Sequence, residues 1–497
     1  MTRVRWCLVP LLLVLFAVGV HVHGVLMTPD SVEYVAMARS LADGRGAHGF
    51  DGQPSAIWPP GFSVVLAPWL AAGLDPRTAT VVCTALLGSL LLPFVLWPLA
   101  RRLRTPEWRA ALIVGTVAGA PILTVATALL ADALLVAIVL ATLLAATRNL
   151  ETRSSTARAW MLALAAIAPV VKLTGLMVWP AVALTSWRRS GPRGLIHLLP
   201  VSFPLVAWML RNTVETGRLI EVFPGDPRPL EPTVRRTLEH LARWFVPQVD
   251  STDVLLITAA VLATVVVTVW VRRGRPAPPA GDLPWIVALV AFLALLWIGS
   301  TRQRIDLPDH RLLAPAYAVT VVLAARLGDA LRRRTRRARA WTGVAIAWTL
   351  WLAFGGIQAV RSPLLAERAD DYAADGTVGR SIAELEVLFE NASIVWCNVP
   401  EYLYWHTGRR TQWPTPEHVA AGTAPDRPVV FVWFTRSARE GLVHPDDLEP
   451  VVHWHERSET NGIVAWRGRS RLSPRAPDAP PSRASRPVPR NAPPDRP

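Results

Sequence analysis

From residue 77 to residue 359 one pattern repeats: an apolar run of about twenty residues, then a short break, every second break rich in arginine. About twenty apolar residues in a helix cross the roughly 30 Å of hydrocarbon in a bilayer. Hydrocarbon holds no water to bond the backbone, so spanning segments are helices or closed barrels. Spans are expected at 4–24, 77–99, 108–126, 129–147, 159–171, 173–188, 194–210, 253–271, 284–300, 312–330 and 341–359, about eleven in all, the two short ones at 159–171 and 173–188 reading equally as a broken pair. The fold class is an all-α polytopic membrane protein. Composition agrees: of 497 residues, 52% are hydrophobic and 18% charged, and the mean hydropathy is +0.31, which excludes a soluble domain of this size. Arg3 and Arg5 precede an apolar run from Trp6 to Val20. No small-residue cleavage site follows, so this run reads as an uncleaved first helix. Residues 61–73 are apolar but short and bounded by prolines, as in a helix lying at the membrane surface.

The formal charge of +15 would suggest nucleic-acid binding in a soluble chain. Here the arginines cluster at 101–104, 148–158, 188–193, 272–275 and 332–339, and on the expected map every cluster falls on the side of Arg3 and Arg5. By the positive-inside rule that side is cytoplasmic. The partner is therefore a lipid bilayer, with no nucleic acid. The opposite face receives a first loop of residues 25–76, the loops 211–252 and 301–311, and everything after residue 360. Cys7, Cys83 and Cys397 are far apart and support neither a disulfide framework nor a zinc site.

Residues 1–360 thus form a multi-span membrane domain. From about 377 a helical stretch precedes the β-type runs SIVWCNV, PVVFVWF and GIVAWRG, so residues 361–470 read as a small extracytoplasmic α/β domain. Residues 471–497 are mostly Pro, Arg, Ser and Ala and cannot bury a core, which predicts a disordered tail.

Charged residues at the outward ends of these spans are the candidate site. Asp30 and Glu33 lie just beyond the first span; a capping box, with Asp30 as N-cap and Glu33 at N3, is the alternative to a catalytic role. Asp132 sits in the apolar stretch TALLADALLVAIV, where a carboxylate at mid-membrane costs about 2.5–3.5 kcal/mol. Lys172 is the single lysine of the chain, and a compact, mobile ammonium at the interface suits a phosphate as well as a snorkelling anchor. Arg211 follows the seventh span. Arg302, Arg304, Asp306, Asp309, His310 and Arg311 crowd the loop before the tenth, against the positive-inside trend.

At these residues the sequence resembles the GT-C superfamily of glycosyltransferases, near the protein O-mannosyltransferases and lipid A aminoarabinose transferases. The resemblance rests on DSVEY followed by WPPGF, then on ALLAD, VVKLTG, WMLRN, DHRLLAP and the tail CNVPEYLYWHTGRR. It implies an integral membrane, inverting glycosyltransferase that moves a sugar from a polyprenyl-phosphate donor to a lipid, glycan or protein acceptor outside a bacterial plasma membrane. In that reading Asp30 is the catalytic base, Glu33 and Asp132 support it, and Lys172, Arg211 and Arg311 lie near the carrier phosphate. The aminoarabinose branch carries an acidic residue before the Pro-Pro pair. Ile57-Trp58 stands there in this chain, which leaves both a divalent metal and that branch's donor open, and no other cofactor is implied. A multi-span secondary transporter and a non-catalytic envelope-assembly protein are the rival classes.

The arginine asymmetry yields a direct test of topology. An alkaline phosphatase fused after Arg361 is expected to be active and a cytoplasmic reporter at the same site silent. The reverse pair of signals overturns the assignment of sides.

Overall fold

The computed structural model describes residues 27–76, 78, 79, 82, 83, 92–128, 131–220, 229–245, 281–301, 311–334, 338–360, 376–389, 392, 394–414, 428–434, 443, 445–448, 452–461 and 463–470. The expected spans at 4–24 and 253–271 lie outside the described residues, as does the tail 471–497, and the span at 77–99 is described only in part. The chain divides by contact into two units. The first comprises residues up to Ala383 together with Glu401–Thr411, the second Glu384–Pro400 and the chain from Gln412 onward.

The first unit is helical. Its elements are α1 (Pro29–Ala42), α2 (Gly61–Ala71), α3 (Leu92–Ala100), α4 (Pro106–Ala118), α5 (Ala120–Ala126), α6 (Ala131–Thr152), α7 (Ser155–Val171), α8 (Val178–Ser190), α9 (Leu198–Thr216), α10 (Leu230–Arg243), α11 (Leu283–Ser300), α12 (Ala314–Arg334), α13 (Ala338–Val360) and α14 (Thr377–Glu384). Among the described residues, five stretches are long and apolar enough to cross a membrane, or six if α4 and α5, bent by 41° at Gly119, form one span. The expected count of about eleven is therefore not reached within the described part of the chain. Helix α6 runs through the middle and is buried along most of its length. Helices α9, α11 and α13 instead expose Leu199, Phe203, Leu210, Val290, Ile298, Leu350 and Phe354. So much outward apolar surface would drive aggregation in water but suits contact with lipid tails.

The charged groups sort to the two ends of α6. Near its C-terminus Arg102 pairs with Glu151 at 2.8 Å, and Arg326 with Asp282 at 2.7 Å. Arg189 donates to Asn149 and to the Arg153 carbonyl at the same end. Asp132 sits in the first turn of α6. From Asp132 to Glu151 a helix rises about 28 Å at 1.5 Å per residue, close to the hydrocarbon thickness of about 30 Å.

Two glycines let the backbone fold tightly at the Asp132 end. After Val171 the chain turns through extended Lys172 into a 3-10 segment, Leu173–Met177. Gly175 then presses on the carbonyl of Ala168, where a Cβ has no room. Gly61, at the start of α2, would place a Cβ 2.7 Å from the Val170 carbonyl oxygen. Residues 61–73, expected as a short surface helix, thus form α2 docked on the last turn of α7.

The second unit holds a four-stranded sheet ordered β1-β2-β4-β3, with β1 (Ile394–Cys397), β2 (Pro428–Phe434), β3 (Val452–Thr460) and β4 (Ile463–Ser470). Strands β1 and β2 are parallel; β2–β4 and β3–β4 are antiparallel. Trp396, Val429, Phe431, Leu448 and Val452 form the core, with Trp454 and Trp466 both edge-on to Phe431. Three of the strands match the expected runs. Strand β3 was not expected, because His453 to Thr460 is almost wholly polar: it is an edge strand with most side chains exposed. Asn461, at φ 47°, makes the tight turn into β4, as Asn before Gly predicts for a two-residue hairpin loop.

Because the Ala168 carbonyl occupies the space of a Gly175 Cβ, Gly175→Ala is expected to destabilise the protein by about 1–3 kcal/mol, as overpacking does. The thermal midpoint of the detergent-purified protein measures this. An unchanged midpoint would mean that the turn after Lys172 relaxes freely.

Candidate active site

Helix α1 begins two residues earlier than a capping box on Asp30 would require. Thr28 is the N-cap: its hydroxyl accepts from the Ser31 N–H at 3.3 Å, and Ser31 Oγ accepts from the Thr28 N–H at 3.0 Å. Pro29 occupies the first helical position, where its fixed φ and missing N–H cost nothing. The capping reading of Asp30 and Glu33 is therefore corrected. Asp30 stands in the first turn, favoured by the helix dipole, and its side chain is not needed to start the helix.

Asp30 instead pairs with Arg311, Nη1 to Oδ2 at 3.2 Å, with both side chains mostly buried. Arg311 lies just ahead of α12, so the pair joins the first outward helix to the tenth expected span. Arg302, Arg304, Asp306, Asp309 and His310 lie outside the described residues. Asp132, 1% exposed, takes both its oxygens to Lys172 Nζ at 2.6 and 2.8 Å. The single lysine and the intramembrane carboxylate of the sequence are thus one ion pair, joining the start of α6 to the end of α7.

Tyr34 is buried within electrostatic reach of both pairs. Burial raises its hydroxyl pKa well above the usual range, and the charges of Asp30 and Asp132 raise it further while Arg311 opposes them. The phenol stays protonated and can donate a hydrogen bond. Its backbone carbonyl accepts from Ser63 Oγ at 3.0 Å, and its ring meets Phe62 edge-on at 5.3 Å. This contact carries WPPGF against DSVEY. Tyr34 did not emerge from the sequence as a site residue. The available signal was its place one helical turn after Asp30, on the same face.

Glu33 faces the first loop. It is buried, Phe50 N–H donates to it at 3.3 Å, and Gly49 approaches so closely that a Cβ would overlap the carboxylate. Burial, and next the charge of Asp51, push its pKa up to about 7. Arg211 donates to the carbonyls of Ala47 and Ser55, each at 2.9 Å, and pairs with Glu215 at 2.5 Å. Ser55 N–H also bonds to Ala47 O, so Arg211 clamps the neck of the loop 47–55. Asn212, fully buried, donates to Leu219 O and closes the turn after α9. Among the described residues no three His, Cys, Asp or Glu side chains converge as a metal site.

No family model matches the chain, and no curated protein matches it. Solved structures do. The chain is similar to ArnT from Cupriavidus metallidurans bound to undecaprenyl phosphate, at 14% identity over 94% of this chain and 98% of that one, with a TM-score of 0.60. It is also similar to ArnT from the same organism in the apo state, at 16% identity with the same coverage and a TM-score of 0.52. The chain is thus similar in fold to these two structures.

Glu33 makes the site sensitive to pH. Its folded-state pKa is raised, so the folded state holds the proton more tightly; the stability this gives is full below about pH 4.5 and is lost as pH rises through about 7. Glu33→Gln keeps the neutral form at every pH. Relative to wild type it should be on the order of 3 kcal/mol more stable at pH 8 than at pH 4. Thermal midpoints across that range decide it, and parallel curves would refute a buried, late-titrating Glu33.

Proposed function

We propose that this protein transfers a sugar from a polyprenyl-phosphate donor to a hydroxyl acceptor on the outer face of the membrane. The observation that carries this reading is the presence of two carboxylate–cation pairs, Asp30–Arg311 and Asp132–Lys172, with buried Tyr34 within electrostatic reach of both carboxylates. They lie at one end of a bundle similar in fold to ArnT. An ArnT structure with undecaprenyl phosphate bound supports a lipid-phosphate carrier. The arginine asymmetry supports the outer face.

The chemistry is one displacement at the anomeric carbon. Asp30 takes the proton of the acceptor hydroxyl, the acceptor oxygen bonds to that carbon, and the bond to the carrier phosphate breaks, which inverts the centre. The leaving phosphate needs positive charge held in place beforehand rather than an acid. Arg311 supplies it while fixing Asp30, and Lys172 supplies it from a position fixed by both oxygens of Asp132. Tyr34, protonated and within electrostatic reach of both carboxylates, carries no charge that would oppose the developing phosphate. Arg211, expected near the carrier phosphate, acts through the loop whose neck it holds.

Transfer of labelled sugar from a polyprenyl-phosphate donor to extracted envelope acceptors tests the assignment. Asp30→Asn keeps the side-chain volume but not the base, and should lower transfer by about 10² to 10⁴-fold with the thermal midpoint nearly unchanged. Lys172→Ala would leave Asp132 buried and unpaired, at a cost of about 3–5 kcal/mol. The double variant Asp132→Asn, Lys172→Met avoids that charge and should raise KM for the donor. Wild-type transfer by folded Asp30→Asn removes Asp30 as the base; an unchanged donor KM in the double variant removes Lys172 from the phosphate.

A further inference from the structure

Beyond Asp30, at the C-terminal end of α1, lies a polar cavity of about 90 Å³. Ser40 of α1, Arg45 and His48 of the first loop, and Tyr404 and Arg410 line it. Tyr404 belongs to α15 (Pro400–Thr407), and residues 401–411 are part of the first unit. Several close fits build the cavity. Gly52, at φ +77°, lies so near Arg410 that a Cβ would stand 2.8 Å from Nε. His48 Nδ1 is 3.4 Å from Ser40 Oγ. The Tyr404 ring packs on Phe50 at 6.2 Å and carries the Arg39 guanidinium at 6.0 Å.

The charge around the cavity is lopsided. Arg45 pairs with exposed Asp43 at 2.6 Å. Of the arginines lining it, Arg410 shows no carboxylate partner among the described residues, and Arg39, outside the lining, rests over the Tyr404 ring. The carboxylates of Glu33 and Asp51 interact with each other and do not line the cavity. Arginine forks match oxyanions in two-pronged geometry, and His48 offers a ring N–H in either tautomer. A volume of about 90 Å³ is well below the roughly 300–1,000 Å³ of pockets that enclose whole ligands, so the cavity suits one group of a larger molecule.

We infer that this cavity binds an oxyanion, a phosphate or carboxylate carried on a sugar, and that this group belongs to the acceptor. The second half of the inference rests on the glycosyltransferase reading. Asp30 and Ser40 share α1 and stand about 15 Å apart at 1.5 Å per residue. One carrier phosphate does not reach both places. An acceptor anchored here by its charge presents a hydroxyl at Asp30 only if it is an extended, anionic glycan.

The test uses the full chain in detergent, with glucose 6-phosphate, glucuronate and glucose as probes and the thermal midpoint as readout. Wild type should show a saturable rise with one or both charged sugars and none with glucose. The rise should vanish in the double variant Arg410→Gln, His48→Gln and persist in Arg410→Lys. It should also persist in the Asp132→Asn, Lys172→Met variant, which separates this cavity from the carrier-phosphate end. No rise in wild type, an undiminished rise in the Arg410→Gln, His48→Gln variant, or a rise lost only in the Lys172 variant overturns the site. Transfer assays decide the acceptor half: the Arg410→Gln, His48→Gln variant should raise the acceptor KM at least tenfold and leave the donor KM alone. Absence of any transfer by wild type defeats the glycosyltransferase reading instead, while the binding results still judge the cavity.

Discussion

Hydrocarbon cannot hydrogen-bond a backbone or solvate a charge, and the architecture of the first unit follows from that. Every long apolar segment described is a helix, because a helix satisfies its own peptide groups within one segment. Charged side chains sort to the two ends of α6, about 28 Å apart. Asp132, 1% exposed, has both oxygens on the ammonium of Lys172. An unpaired carboxylate there would be strongly unfavourable, and a paired one is tolerated. The same rule that builds the bundle therefore confines reactive polar groups to its rims.

At the rim, the site is assembled by backbone packing rather than by a single motif. Gly61 lets α2 touch the last turn of α7, and Gly175 lets the chain after Lys172 fold back along that turn. Arg211 grips the loop 47–55 through two carbonyls. These contacts fix α1, and with it Asp30, Glu33 and Tyr34, against Lys172 and Arg311. Two of the conspicuous charged residues thus have different work from two others. Arg211 and Glu33 hold the loop, while Lys172 and Arg311 remain beside the carboxylates they partner.

The membrane character, the helical class of the first unit and three of the four strands were legible in the sequence. Each depends on local information: the length of an apolar run, the alternation of a strand, the sign of a charge beside a span. What was misread is equally physical. The box of Thr28 and Ser31 starts α1, but Thr, Ser and Asp are near-equal caps, so the sequence did not choose among them. Strand β3 was missed since a polar edge strand lacks an apolar stripe.

Pairing lay beyond the sequence altogether. Asp132 and Lys172 are forty residues apart, and Asp30 and Arg311 lie at nearly opposite ends of the membrane unit. Sequence alone raised the expectation that these side chains share one face of the membrane, because alternating spans dictate sidedness. Which carboxylate meets which cation, that Tyr34 is buried within electrostatic reach of both carboxylates, and that Arg410 closes on the first loop were decided by tertiary packing. The reason is geometric: helix order along the chain fixes which end a residue occupies, whereas helix neighbours and rotations, set by close contacts such as those at Gly61 and Gly175, fix what it touches.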